Sequence, residues 1–131
     1  MALEPGTRRL KTWTGDYDFA VDGGGTGTIT LRSDDGPLPN GSVVVGGYLH
    51  VGTALDSSGS ATGALQVNAA NDIVNATAFD GAPFSTTGNK DIIPDSTGST
   101  AITLTADRSP AFVIGAAALT AGVFTVVLIY R

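Results

Sequence analysis

Apolar and polar residues alternate along several short segments of this chain, so that every second side chain is apolar. The segments that share this pattern are residues 16–22, 27–32, 42–55 and 101–105. In the first of them, Tyr17, Phe19 and Val21 fall on one side and three aspartates fall on the other. Because successive side chains of a strand point to opposite faces, this period predicts strands with one face on a core and one face in water.

The longest alternating segment, residues 42–55, predicts a strand with an irregularity in its middle. Its alternation places one set of side chains on the same face, namely Val43, Val45, Leu49 and Val51, and another set on the opposite face, namely Val44, Tyr48 and His50. Gly46 and Gly47 lie between these residues. Paired glycines inside a strand indicate a bulge or a sharp bend.

The C-terminal segment, residues 123–130, is apolar on both of its faces. A strand of this kind is normally central in its sheet and covered on both sides. Alternatively, its outer side covers a partner subunit. The pattern alone leaves both interpretations open.

Glycine-rich and polar stretches connect the predicted strands. Residues 23–26 predict a hairpin turn between the first two alternating segments, and residues 119–122 predict a hairpin before the last strand. In residues 69–79, Asn71 or Asp72 caps a short predicted helix over Ile73, Val74 and Ala76. About eight or nine strands at roughly ten-residue spacing predict an all-β fold. We expect a two-sheet β-sandwich, jelly-roll-like, with at most one short helix.

Length and composition predict a single domain of 131 residues, with an N-terminal arm at residues 1–12 and one β-sandwich at residues 13–131. The net charge of −5 argues against direct nucleic-acid binding, which depends on Lys and Arg. The chain has no cysteine, which removes disulfides, thiol catalysis and cysteine-based zinc sites. We expect no signal peptide, since residues 1–10 contain no apolar h-region, and no membrane span, since no apolar run approaches ~20 residues.

Candidate chemistry is sparse. The aspartates at positions 16, 18, 22, 34 and 35 lack the spacing of a calcium-binding loop, so the polar face of a strand explains them better than a metal site. The glycines at residues 23–27 precede a predicted strand, whereas a phosphate loop needs a helix behind it. His50 is the only histidine, and no Gly-x-Ser-x-Gly motif accompanies it. The sequence therefore predicts no enzyme, no metal and no cofactor.

A basic cluster near the N-terminus is the most distinctive local feature. Arg8, Arg9 and Lys11 make up three of the seven basic residues, and Trp13 lies two residues after Lys11. One interpretation is a solvated terminal strand with a core tryptophan. The other is a contact with an acidic protein surface, in which charge steers the encounter and Trp13 is a desolvated anchor.

The order of several motifs resembles a known family. They are residues 12–24 (TWTGDYDFAVDGG), 38–51 (LPNGSVVVGGYLHV), 53–61 (TALDSSGSA), 71–74 (NDIV) and 116–130 (AAALTAGVFTVVLIY). Together they resemble small structural proteins of tailed bacteriophages, which belong to the virion head or its decoration. The motifs consist of turns and strand ends and contain no catalytic signature.

This resemblance implies a non-enzymatic decoration or cement protein on the capsid exterior, made in the host cytoplasm. It implies a homotrimer at three-fold positions, with the major capsid protein as partner and no membrane or nucleic acid. We expect Arg8, Arg9, Lys11 and Trp13 to contact the capsid. The alternatives are a tail or head-fibre module that binds a host receptor or glycan, a free-standing carbohydrate-binding module, and a hydrolase.

Overall fold

The computed structural model describes residues 10–92 and 102–131, which form nine strands and one short helix. The strands are β1 (Lys11–Asp18), β2 (Gly27–Thr30), β3 (Val43–Asp56), β4 (Thr62–Gln66), β5 (Val74–Ala78), β6 (Gly88–Ile92), β7 (Ile102–Thr103), β8 (Ala111–Gly115) and β9 (Ala121–Tyr130). The helix is α1 (Phe19–Asp22). Within the described ranges, no helix has the length and apolar character needed to cross a membrane.

The strands form two antiparallel sheets. The five-stranded sheet has the order β1-β9-β3-β6, with β7 also paired to β3, and the four-stranded sheet has the order β2-β8-β4-β5. Strand β1 pairs with β9, β2 with β8, β3 with β6 and β4 with β5. This pairing of early strands with late ones is that of a rolled antiparallel ribbon, a jelly roll. The predicted all-β sandwich with one short helix is confirmed.

The core lies between the two sheets and is centred on aromatic rings. Tyr17, Phe84, Phe112 and Phe124 are fully or almost fully buried. Ring centroids lie 4.8 Å apart for Tyr17 and Phe112 and 4.9 Å apart for Phe112 and Phe124. Tilted and edge-on rings at such distances add to the stabilisation that burial provides. The core therefore joins β1 and β9 of one sheet to β8 of the other.

The predicted irregularity at Gly46 and Gly47 is confirmed, and it changes which side chains are buried. The register between β3 and β9 shifts between Val44 and Gly46. Beyond this bulge Leu49 is buried and Tyr48 is exposed, but before it Val44 is buried and Val45 is 39% exposed. The predicted faces of Val44 and Val45 were therefore wrong, because a bulge inserts one residue and reverses the alternation.

Both predicted hairpins are wrong. Strands β1 and β2 belong to different sheets, as do β8 and β9. The intervening residues instead carry the chain from one sheet to the other. Asp16 precedes the first crossover and Arg32 follows it, and these two residues form an isolated antiparallel β-bridge.

The helix occurs at a different place from the one predicted. Strand β1 ends at Asp18, whose side chain accepts a hydrogen bond from the Ala20 amide and caps α1. As a result Val21, predicted to face the core, is 66% exposed. The predicted helix over residues 73–76 is wrong, because most of it belongs to β5. Asp72 instead accepts hydrogen bonds from three amides that precede it in the chain.

Candidate functional site

The basic N-terminal cluster is only partly within the described residues. Arg8 and Arg9 lie outside them, and β1 begins at Lys11, two residues before the predicted domain boundary. Leu10 is 56% exposed and Lys11 is exposed. These two residues lie at the end of the five-stranded sheet, where Lys11 pairs with Tyr130.

Trp13 lies in the core of the same subunit. Its side chain is 1% exposed, and its Nε1 donates a hydrogen bond of 2.7 Å to the Gly36 carbonyl oxygen. The ring lies against Gly15, where even a methyl group would overlap it. Trp13 therefore fastens β1 to the loop that contains Gly36, as the core-tryptophan interpretation expects. Its ring is not presented on the surface of the described subunit.

The candidate aspartates have structural partners. Asp16 accepts a hydrogen bond of 2.6 Å from the Thr125 hydroxyl, and Asp18 caps α1. Asp22 forms an ion pair of 3.0 Å with Arg32. In the part of the chain that the structure describes, no three histidine or carboxylate side chains come close enough to hold a metal ion.

The glycine-rich segment after α1 belongs to the crossover between the sheets. The Tyr17 hydroxyl donates a hydrogen bond of 2.6 Å to the Gly23 carbonyl oxygen. Burial, followed by the negative charges of Asp22 and Asp18, raises the pKa of Tyr17 to about 12. This phenol is thus a neutral structural donor, and it ties the segment to the core.

The outer face of the five-stranded sheet contains a shallow hollow of about 550 Å³. Its lining residues come from β3, β6 and β9, and they are Tyr48, His50, Asn89, Asp91, Thr125 and Val127. His50 Nδ1 lies 2.7 Å from Asn89 Oδ1. Among the residues that the structure describes, no serine or cysteine lines this hollow. The only imidazole of the chain therefore has an amide partner there, and the two hydroxyls among the lining residues are those of Tyr48 and Thr125.

Several apolar side chains are exposed on this sheet. Strand β9 is central in its sheet, and its inner face is buried, but Val123 on its outer face is 36% exposed. Tyr48 and Val45 on the neighbouring strand are 41% and 39% exposed. The prediction of a central strand is confirmed, whereas coverage of its outer side by a partner subunit stays a prediction.

Sequence reasoning missed the contribution of β6. Asn89 and Asp91 are exposed and face the hollow because they pair with His50 and Tyr48 of β3. The alternation within residues 88–92 was the available signal, but it does not identify β3 as the partner strand. Only the sheet order brings these side chains together.

Comparison with known proteins shows similarity at the level of the fold. No protein-family profile matches the chain, and no curated protein matches it. Three solved structures of bacteriophage capsids contain a similar chain.

The first is a chain of the cyanophage Pam1 capsid asymmetric unit, with a TM-score of 0.61 and 20% identity over 92% of this chain and 83% of that one. The second, from the capsid of Ralstonia phage GP4, has a TM-score of 0.62 and 20% identity over 94% and 84%. The third, from the acidic stable capsid of Helicobacter pylori bacteriophage KHP30, has a TM-score of 0.60 and 12% identity over 92% and 86%. The likeness shows that this chain shares its fold with chains of these capsids.

Proposed function

We propose that this chain is a non-enzymatic structural protein of a tailed bacteriophage that decorates and stabilises the capsid. The observation that carries the proposal is the fold match to chains in three phage capsid structures, which spans 92–94% of this chain. A shared sandwich does not define a function by itself. The phage-like motif order and the structural use of the candidate aspartates support the same role.

The proposed partner is the major capsid protein, bound from outside the virion by a homotrimer at three-fold positions. A protein that binds the assembled lattice better than free subunits stabilises assembly by its binding free energy. Three linked contacts add avidity, so modest affinity at each site is sufficient. A cyclic trimer also matches a three-fold position of the lattice.

The proposed charged contact consists of Arg8, Arg9 and Lys11, which would dock on an acidic protein surface. Lys11 is exposed at the end of the five-stranded sheet, in agreement with this role. Trp13 is buried, so its proposed contribution is to hold β1 in place through its hydrogen bond to Gly36.

The test is light scattering of the purified protein followed by co-sedimentation with phage heads. We expect a trimer that pellets with expanded heads at a regular stoichiometry. A truncation that removes residues 1–9 should lower head occupancy while the far-ultraviolet circular dichroism spectrum stays unchanged. A wild-type monomer that does not pellet with heads would refute the proposed function.

The alternative, a tail or head-fibre module that binds a host receptor or glycan, requires exposed aromatic side chains in loops. Phe84, one of its two candidates, is fully buried, and Phe79 packs against the core. Glycan-array and host-cell binding of the purified protein test this alternative directly. Specific binding there, without binding to heads, would favour it over decoration.

A further inference from the structure

The hollow on the outer sheet face has an apolar floor and an acidic side. Tyr48 and Val127 face each other as a cross-strand pair in its floor. Asp91, on the edge strand β6, is exposed beside Tyr48. Within residues 10–92 and 102–131, no lysine or arginine lines this hollow. A complementary partner therefore presents an apolar side chain flanked by basic ones.

This chain itself contains such a segment. Leu10 is 56% exposed, and it stands between Arg9 and Lys11 in the sequence. Arg8 extends the basic run. The basic residues of the chain are therefore concentrated next to an exposed leucine, while the hollow contributes the opposite charge.

Leu10 does not line the hollow of its own subunit. It precedes β1 at one end of the sheet, whereas Tyr48 and Val127 lie over the middle of β9 and β3. A second copy can supply the segment, because Leu10 and Lys11 are exposed at the end of its sheet. Such a contact joins two different surfaces, and head-to-tail contacts of this kind close into rings when the rotation permits.

We propose that residues 8–11 of one copy occupy the hollow of the next copy. Leu10 packs on Tyr48 and Val127, and the neighbouring basic side chains approach Asp91. This inference rests on the proposed trimer, and it identifies the acidic surface for the basic segment as that of the adjacent copy. Three such contacts, repeated around a three-fold axis, hold the ring together.

The experiment is light scattering over a dilution series with the full-length protein and five variants. Asp91→Lys and Arg9→Glu should each raise the concentration at which the oligomer half-dissociates by at least about tenfold, since each places like charges together. The double variant should restore association to within about threefold of wild type. Asp80→Lys makes the same charge change at an exposed aspartate outside the hollow and should have no effect.

An uncharged variant, Leu10→Ser, tests the apolar half of the contact and should also weaken association. Circular dichroism of each variant verifies that the sandwich is folded. The inference is overturned if Asp91→Lys and Arg9→Glu leave the oligomer unchanged, or if the double variant fails to restore a lost one. A monomeric wild-type protein overturns it as well, even if residues 8–11 of each monomer cover its own hollow.

Co-sedimentation with heads separates this result from the proposed function. Variants that remain trimeric but no longer bind heads would show that the basic segment contacts the capsid protein. In that case the inference fails and the decoration role stands. A wild-type protein that forms the oligomer but ignores heads would leave the contact between copies intact and refute decoration.

Discussion

Replacement of Trp13 by phenylalanine should destabilise the sandwich rather than remove a surface contact. The tryptophan side chain is 1% exposed, and its Nε1 donates a hydrogen bond of 2.7 Å to Gly36. Phenylalanine retains much of the buried ring but has no donor. A typical hydrogen bond contributes about 1 kcal/mol net to stability, and the variant loses this contribution.

The smaller ring also loses apolar contact with Gly15, which costs about another 1 kcal/mol. The free energy of unfolding should therefore fall by about 2 kcal/mol. For a domain of this size, about 4 °C of melting temperature corresponds to each kcal/mol, so the midpoint should fall by about 8 °C.

Thermal unfolding should be followed by far-ultraviolet circular dichroism, because Trp13 is the only tryptophan and its replacement removes the fluorescence signal. Lys11→Ala is the matched control, since Lys11 is exposed on the same side of the same strand. It should change stability by less than about 0.5 kcal/mol. An unchanged midpoint for Trp13→Phe, combined with lost head binding, would contradict the core role and favour a surface anchor.

Three further predictions concern positions where the structure sets strict demands. Gly47→Ala should lower the free energy of unfolding by about 2–3 kcal/mol in chemical denaturation, because the added methyl overlaps the Val127 carbonyl oxygen. The control Gly46→Ala places its methyl in open space and should be tolerated. Equal effects of the two variants would refute the close approach at Gly47. The pKa of Tyr17 is raised to about 12 in the folded state, so the unfolded chain releases this proton first and stability should fall between pH 10 and 12. Tyr17→Phe should flatten that part of the stability profile, and an unchanged slope would exclude Tyr17 as its source. Asp72→Ala should lower the free energy of unfolding by about 3 kcal/mol, because it leaves three amides without their acceptor. Asp72→Asn should lower it less, and urea titration of both variants measures the difference. The reverse order would contradict this role of Asp72.

The period-two alternation was sufficient to predict strands and, for many of them, the buried face. Tyr17 points into the core as its alternation predicts, and Leu49 and Val51 share a buried face. Alternation depends on the backbone of one strand alone, so it can be read locally. Where the bulge at Gly46 and Gly47 inserts a residue, the reading before it fails by one position, and Val44 replaces Val45 in the core.

Local signals were less reliable for connections and for the helix. A glycine-rich turn between two strands is compatible with a hairpin or with a crossover between sheets. Residues 23–26 make a crossover because β1 pairs with β9 and β2 with β8. Likewise, Asp18 caps a helix in a segment, residues 16–22, whose alternation predicts a strand. Tertiary packing overrides weak local preference in such short segments.

The features of the candidate contact surfaces also depend partly on the sequence alone and partly on the tertiary structure. The sequence by itself determined the all-β class, the strand segments, the two-sided apolar character of β9 and the basic cluster at residues 8–11, because each depends on neighbouring positions in the chain. The tertiary structure alone decided that Trp13 is buried and that Tyr48, Asp91 and Val127 meet in one hollow. These three residues come from β3, β6 and β9, and the pairing of distant strands is set by how two sheets bury a common core.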